Sequence, residues 1–307
     1  MDPTVAYRGL ALSLAANPLV RRALTVNGRR VARRFVAGGT LGDALRVADR
    51  PHQEGILTIL NLLGEMVRSE DLARQFKEQV LRMLDAVADR PWARYISVKL
   101  TELGVDISEE FGFDQLAEIL ERARGRRCFL RIDMQDSAHV DATLRVYRRL
   151  RAAGFDSVGI VLKAYLRRTE SDLEALLFLR PNVRVVKGAY REPPEVAFPS
   201  KRQVDDNFLR LVLRNLGAGN YTAVATHDQR IIGSLKVWNR QAGVDRERFD
   251  FQMLCGVQLG LQRALPREGY TVRAYVPYDE DWYSYFARRI AKRPGNLLFV
   301  IRAVLGV

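Results

Sequence analysis

The sequence is poor in the residues on which several protein classes depend. Only two cysteines, Cys128 and Cys255, occur among 307 residues, and both lie in apolar segments. This count argues against a disulfide framework and favours a reducing compartment. The three histidines and two cysteines form no group with metal-ligand spacing, so we expect no metal site.

Long hydrophobic runs and two nucleotide-binding motifs are also missing. No apolar run approaches the roughly 18 residues that a membrane-spanning helix needs. The amino terminus has no basic region ahead of its apolar stretch, so we expect no secretory signal. Neither a strand–G-x-G-x-x-G–helix unit nor a Walker A loop is present. A nucleotide-containing cofactor would therefore have to be held by backbone amides and by Lys or Arg at strand ends.

Acidic residues are outnumbered: 36 Asp and Glu stand against 49 Lys and Arg, a net charge of +13. Such a surface attracts nucleic acid, anionic lipid or phosphorylated small molecules, and charge alone does not choose among them. Much of the charge comes in arginine pairs spread over many predicted helices, a pattern typical of solvated helix surface. No nucleic-acid recognition motif accompanies it, so nucleic-acid binding is only an alternative hypothesis here.

Short, β-branched apolar runs alternate with amphipathic segments from residue 55 onward. This is the rhythm of βα units on a parallel sheet, and eight units favour a closed (β/α)8 TIM barrel over an open doubly wound sheet. We expect residues 1–50 to form an N-terminal helical segment and residues 51–307 to form the barrel. The eight predicted strands begin near Gly55, Tyr95, Cys128, Ser157, Val183, Thr222, Phe249 and Thr271.

Polar or aromatic residues stand at the end of every predicted strand. The carboxyl ends of barrel strands meet at one face, where active sites lie, so these side chains should line one pocket. Arg131 and Asp133 point to the same face of the third strand. Inside a barrel they would be buried charges that need a partner: each other, Arg184 or a ligand.

Two further features bear on the chemistry. Arg288 and Arg289 lie in a segment of helical period, and neighbours about 100° apart can grip one anion from two directions. Lys99 and Lys187 at strand ends leave open a different barrel enzyme, a Schiff-base aldolase with one of them as nucleophile.

Together, these segments resemble the proline dehydrogenase family, both its free-standing bacterial members and the dehydrogenase domain of bifunctional proline utilisation proteins. They span about residues 55–300 in the family's order. The matching segments are Leu63–Glu65, Tyr95–Leu100, Leu130–Met134, Arg184–Tyr190, Ala225–Asp228, Phe251–Leu254, Tyr275–Tyr278 and Arg288–Arg289.

The resemblance implies a distorted (β/α)8 barrel with a final helix over its mouth, and FAD bound without a Rossmann domain. It implies oxidation of L-proline to Δ1-pyrroline-5-carboxylate, the first step of proline catabolism to glutamate, with electrons passing to a membrane quinone. The protein would then be cytoplasmic, with no nucleic-acid partner. Its basic surface would make peripheral contact with anionic membrane.

The resemblance also implies two sets of binding residues. Those for substrate are Lys99, Ala189, Leu254, Tyr275, Arg288 and Arg289. The three cations would hold the proline carboxylate, and the other three residues would pack against its ring. Those for the cofactor are Met134, Lys163, Arg184, Lys187, Gly188, Ala189, Thr226 and His227.

Asp133 and Arg184 would be the catalytic residues. Asp133 would order the cations that bind the substrate, and Arg184 would lie close to the reactive edge of the flavin. Glu65 would pair with Arg288 as a gate over the bound substrate. Lys163 stands where the family pattern has glutamine, and Lys292 stands where many relatives have an acid near the FAD ribose.

Overall fold

The computed structural model describes residues 37–64, 67–190 and 192–279. Within these ranges eight parallel strands form a closed barrel in chain order, with the first strand hydrogen-bonded to the last. The predicted closed barrel is therefore confirmed over the open sheet. The strands are β1 (Leu57–Leu62), β2 (Tyr95–Val98), β3 (Phe129–Ile132), β4 (Val158–Lys163), β5 (Val183–Val186), β6 (Thr222–Ala225), β7 (Phe249–Leu254) and β8 (Val272–Tyr278).

Helices follow the strands on the outside of the barrel. Within the described ranges none of them is long and apolar enough to cross a membrane. Residues 1–36 and the predicted final helix lie outside the described residues, so of the predicted N-terminal segment only its last helix is described. The helices are α1 (Leu41–His52), α2 (Glu70–Ala86), α3 (Glu109–Gly125), α4 (Val140–Ala152), α5 (Thr169–Glu174), α6 (Lys201–Gly217), α7 (Gln229–Ala242) and α8 (Leu259–Arg267).

Short polar side chains set where several helices begin. A side-chain oxygen accepts a hydrogen bond from the first turn at Thr40, Ser69, Ser108, Ser200 and Asp228. Each such cap satisfies one of the amide groups that a helix leaves unpaired at its start, which contributes about 1 kcal/mol. Asp228 is notable because it also lies at the strand-end face where the candidate site is found.

The main hydrophobic core lies between the barrel and its helices. Val80 and Met83 of α2, Leu116 and Ile119 of α3, and Phe208 of α6 are all fully buried against it. Burial of each such side chain stabilises the fold by about 1.5–3 kcal/mol. This layer holds the strands at fixed positions, so the side chains that point into the barrel are held there by a rigid wall.

Arg131 is buried inside the barrel, toward the amino-terminal ends of the strands. Its side chain is fully buried, and its guanidinium donates to the Tyr95 hydroxyl at 2.9 Å, to the Ile160 carbonyl at 3.2 Å and to the carbonyl and side-chain oxygens of Asn182. Burial lowers the pKa of Arg131, yet a guanidinium keeps its proton in proteins. Arg131 therefore serves the barrel's packing, and Asp133 pairs with a different arginine.

Gly159 provides the space that this guanidinium occupies. A methyl group added there would come within 2.6 Å of the Asn182 carbonyl oxygen and would also overlap the Arg131 side chain. We expect Gly159→Ala to lower the free energy of unfolding by about 1–3 kcal/mol, because an overpacked interior has to move backbone. Urea denaturation followed by circular dichroism measures this change.

Gly233 supplies the matched control. It lies inside α7, and an added methyl group would meet no heavy atom within 4 Å. We expect Gly233→Ala to raise stability by about 0.5–1 kcal/mol through lower chain entropy. Equal stability of Gly159→Ala and the unmodified protein would contradict the packing described for Arg131.

Candidate active site

A cavity of about 660 Å³ opens at the carboxyl ends of the strands. Residues from β2 through β8, or from the loops that directly follow these strands, line it. The sequence-predicted site residues that the structure brings together on its wall are Lys99, Asp133, Met134, Lys163, Arg184, Lys187, Gly188, Ala189, Thr226, His227, Leu254 and Tyr275. Their proximity is a structural finding, whereas their roles stay predictions. Glu65, Arg288, Arg289 and Lys292 lie outside the described residues.

Arg184 lines the cavity from β5 and is only 4% exposed. Two strands and the loop after β3 supply its partners: Nη1 donates to Asp133 Oδ1 at 2.7 Å, Nη2 to Ser97 Oγ at 3.0 Å and Nε to Gln252 Oε1 at 2.6 Å. A buried guanidinium with this many partners has a single orientation. Its positive charge is therefore fixed in place before any ligand arrives.

The second carboxylate oxygen of Asp133 accepts a hydrogen bond from an aromatic residue of the cavity wall. Tyr275 donates its hydroxyl proton to Asp133 Oδ2 at 2.9 Å, and the Arg184 guanidinium lies 5.4 Å from the centre of the Tyr275 ring. One carboxylate thus fixes both a cation and a flat ring beside the cavity. The ordering of the substrate-binding cations that was predicted for Asp133 stays a prediction, because the partners described here are Arg184 and Tyr275.

Deeper in the barrel, Asp250 fixes the orientation of Gln252. The Gln252 amide nitrogen donates to both oxygens of the fully buried Asp250 at 3.1 Å, and Arg273 Nε donates to Asp250 Oδ2 at 2.6 Å. An ionised carboxylate only accepts hydrogen bonds, so the amide must turn its NH2 group toward Asp250. The Gln252 oxygen then faces Arg184, for which it is the required acceptor.

Lys99 enters the cavity from the end of β2 with a carboxylate behind it. Its ammonium nitrogen lies 2.6 Å from Glu102 Oε1, and the side chain of Glu102 is only 1% exposed. Burial raises the pKa of Glu102, while the positive charge of Lys99 opposes that rise. Glu102 is thus a buried acid whose ionisation depends on one neighbouring cation.

Lys187, which directly follows β5, forms ion pairs with two carboxylates. Lys187 Nζ lies 2.5 Å from Asp205 and 2.8 Å from Asp228, and Asp228 also pairs with Lys201 at 3.2 Å. The Lys187 hydrogen bond holds the pKa of Asp228 well below its usual range. Lys99 and Lys187 thus each lie beside carboxylates, whereas a Schiff-base nucleophile is activated in an apolar pocket or beside another cation. The aldolase alternative is therefore disfavoured.

Lys163 and Tyr190 border the cavity on its other side. Lys163 Nζ donates to the Gln135 carbonyl and lies 4.0 Å from the centre of the Tyr190 ring. The Tyr190 hydroxyl donates to Gln135 Oε1 at 2.7 Å, and burial raises its pKa. Gln135 Nε2 in turn donates to Thr101 Oγ1 at 2.7 Å. Lys163, which departs from the family pattern, is thus part of a local hydrogen-bond network.

Two backbone features shape the remaining wall. Gly188 has φ +112°, and a Cβ atom there would overlap the ring of Tyr165, so only glycine suits the turn out of β5. The Leu254 amide donates to His227 Nε2 at 2.9 Å. If neutral, the His227 ring then carries its proton on Nδ1, which makes that nitrogen a donor.

Neither cysteine nor a metal cluster supplies chemistry within the described ranges. Burial raises the pKa of both Cys128 and Cys255 to about 11, so at neutral pH both are thiols rather than nucleophilic thiolates. Residues 37–64, 67–190 and 192–279 contain no group of three or more His, Cys, Asp or Glu side chains arranged for a metal ion.

Sequence reasoning missed four residues that complete the site: Ser97, Glu102, Gln135 and Asp250. A signal was present for two of them. Glu102 follows Lys99 by three residues, which places the two on one face of the 3-10 turn Leu100–Glu102. Asp250 precedes Gln252 by two residues on a strand that is otherwise buried and apolar, where a charge requires an inward-facing partner.

Comparisons with known proteins agree with this geometry. The sequence profile of the proline dehydrogenase family matches residues 44–297. Proline dehydrogenase of Deinococcus radiodurans is 40% identical over 303 residues, covering 97% of this chain and 98% of the relative. Proline dehydrogenase 1 of Bacillus subtilis is 40% identical over 299 residues, covering 97% and 99%.

A solved structure shows the same fold at lower identity. Proline utilization A from Bdellovibrio bacteriovorus, inactivated by N-propargylglycine, superposes with a TM-score of 0.82 at 22% identity. The match covers 93% of this chain and 36% of that longer one. From the family profile and the full-length relatives, the chain belongs to the proline dehydrogenase family.

Proposed function

We propose that the protein oxidises L-proline to Δ1-pyrroline-5-carboxylate, with FAD as cofactor and a membrane quinone as electron acceptor. Membership of the family and 40% identity to two proline dehydrogenases over nearly their whole length support the reaction. The observation that carries the proposal is the convergence of Lys99, Arg184 and Tyr275 on one cavity at the strand ends.

The volume and lining of the cavity support FAD as its ligand. Its volume of about 660 Å³ lies in the range of roughly 300–1,000 Å³ that is usual for ligand pockets. Arg184, Lys163 and Lys187 give it donors for the polar edge of a flavin and for phosphate oxygens. The apolar part of the lining, against which a flat ring system can lie, includes Val161, Val186, Ala225 and Met253.

The residues that would hold FAD are those predicted from the sequence. When bound, FAD accepts the hydride that the reaction removes from the substrate. Arg184 contributes a positive charge held by Asp133, Gln252 and Ser97, and such a charge favours an electron-rich neighbour. The remaining cofactor contacts that we propose are Met134, Lys163, Lys187, Gly188, Ala189, Thr226 and His227.

Substrate binding depends on opposite charge. We assign the proline carboxylate to Lys99, Arg288 and Arg289, since charge-assisted hydrogen bonds from three cations fix both its position and its orientation. A fixed orientation of the reacting carbon supplies much of the rate of such a reaction. Ala189, Leu254 and the ring of Tyr275 would pack against the apolar ring of the substrate, and Glu65 would close the site by pairing with Arg288.

The electron acceptor links the enzyme to a membrane surface. A quinone resides in the bilayer, so a cytoplasmic enzyme that uses it must touch the membrane at least transiently. The net charge of +13 favours contact with anionic lipid, at about 1 kcal/mol for each basic residue that approaches the surface. We therefore propose peripheral contact with the inner face of the cytoplasmic membrane.

We expect the purified protein to be yellow and its flavin absorbance to bleach anaerobically on addition of L-proline. Cyclopentanecarboxylate serves as the control, because it lacks the ring nitrogen and has no imine product. An absorbance spectrum before and after each addition measures this. A colourless protein that takes up no added FAD, or a flavin that L-proline leaves oxidised, would refute the proposed function.

Arg288→Met and Arg289→Met test the carboxylate site. Each removes one charge-assisted hydrogen bond, which contributes about 1.5–3 kcal/mol, so we expect the KM for L-proline to rise about tenfold to a hundredfold. Steady-state kinetics with an artificial electron acceptor gives this value. Arg240→Met, in the last turn of α7 at the opposite end of the barrel, is the matched control. A near-normal KM in both variants would remove their assigned role.

Membrane contact predicts binding to vesicles of anionic phospholipid that is lost as the salt concentration rises. The expected salt dependence follows because surface electrostatics are screened beyond about 10 Å at 0.1 M salt. Co-sedimentation at two salt concentrations measures it, with neutral phosphatidylcholine vesicles as the control. Failure to bind anionic vesicles at low salt would contradict this part of the proposal.

A further inference from the structure

In the ion pair between Lys99 and Glu102, the acid is not needed to position the substrate. A cation alone would suffice to bind a carboxylate, yet Lys99 has an acid 2.6 Å behind it. That acid is buried, and its second oxygen, Oε2, has no hydrogen-bond partner among the described residues. A buried carboxylate oxygen without a donor is costly when ionised and inexpensive when protonated.

The surroundings of Glu102 make its charge depend on Lys99. The ionisable groups that face it within the described ranges include Lys99 on its own turn, Asp133 after β3 and Tyr190 after β5. Of these, only Lys99 stabilises the ionised form, while burial and the negative charge of Asp133 raise the pKa of Glu102. The side toward Gly64 and the Phe76 ring is tightly packed, as a Cβ added at Gly64 would come within 3.1 Å of Glu102 Oε1.

An anion bound to Lys99 changes this balance. Its negative charge competes for the Lys99 ammonium, which favours the ionised form of Glu102, and it places a like charge close to a poorly solvated carboxylate. Two carboxylates that share one site do not both remain ionised easily, so the buried one gains a proton. This proton uptake bears on the reaction because the ring nitrogen of free proline is a protonated ammonium without a lone pair. Hydride leaves the adjacent carbon only when that nitrogen is neutral.

We propose that Glu102 takes up one proton when a carboxylate binds to Lys99, so that the zwitterionic substrate is accepted and its ring nitrogen becomes neutral without net release of a proton. The inference rests on the proposed function, because it takes Lys99 as the group that receives the substrate carboxylate. The balance is closed: the ring nitrogen loses one proton, the Glu102 carboxylate ends with one more, and no electron moves in this step. Glu102 acts through Lys99 and is a positioning residue rather than a group in contact with substrate.

Calorimetry of the holoenzyme with cyclopentanecarboxylate tests the proton uptake directly. This probe carries the carboxylate but no titratable nitrogen, so any proton taken up comes to the protein. Titrations near pH 7 in buffers of different ionisation enthalpy should give about one proton bound per ligand, and Glu102→Gln should give none. Glu102→Asp, which retains an acid, should retain uptake, and melting curves show that each variant is folded.

Glu118→Gln is the matched control, because Glu118 also pairs with a lysine, Lys77, but does so on the outer helices. It should show the uptake of the unmodified protein. Binding without proton uptake, or equal uptake in Glu102→Gln, would overturn the proposal while leaving the proposed function intact. If the holoenzyme binds neither the probe nor L-proline, the proposed function fails and this inference with it.

The pH dependence of kcat/KM for L-proline gives a second readout that a merely structural role would not change. With Glu102 present, the free enzyme and the zwitterion together already hold the protons of the reactive complex, in which Glu102 is protonated and the ring nitrogen is neutral. We therefore expect kcat/KM to be level around neutral pH and to fall on the acidic side. In Glu102→Gln only the scarce neutral-amine form is accepted, so kcat/KM should rise about tenfold per pH unit toward the pKa of the amine. Parallel profiles for the two proteins would overturn the proposal.

Discussion

The buried guanidinium of Arg184 is the constraint on which the cavity depends. A cation placed inside a barrel costs several kcal/mol unless hydrogen bonds and opposite charge compensate it. Here Ser97 of β2, Gln252 of β7 and Asp133, directly after β3, do so. Because the closed sheet positions these partners, the charge of Arg184 at the cavity is held by the barrel itself.

The charges below and beside Arg184 alternate in sign. Asp250 binds Arg273 and orients Gln252, which in turn accepts from Arg184. At the mouth, Lys99 pairs with Glu102, and Lys187 with Asp205 and Asp228. In the free protein each of these cavity-facing cations therefore has an acid partner, and an anionic ligand must compete with that partner. This competition gives a physical reason for coupling ligand binding to the proton on a buried acid.

The sequence was sufficient to predict the barrel and most of the residues of the cavity wall. Alternation of apolar runs and amphipathic helices fixes the number of strands, and barrel geometry then brings all strand ends to one face. Lys99, Arg184 and His227 could be placed there without coordinates. Which side chains pair inside the barrel could not be predicted, because that depends on the stagger between strands. Parity shows that Arg131 and Asp133 point to the same face of their strand, but only the structure shows that this face is the barrel interior. There Arg131 lies beside Gly159 and Asn182, while Asp133 reaches Arg184.

The central proposal is that Lys99, Arg288 and Arg289 together receive a small carboxylate beside the cofactor. A crystal structure of the holoenzyme soaked with cyclopentanecarboxylate tests it most directly. The account predicts the ligand carboxylate within hydrogen-bond distance of Lys99 Nζ and of the Arg288 and Arg289 guanidinium groups, with its ring against Tyr275. A ligand bound elsewhere, or these three cations too far apart to share one carboxylate, would contradict it.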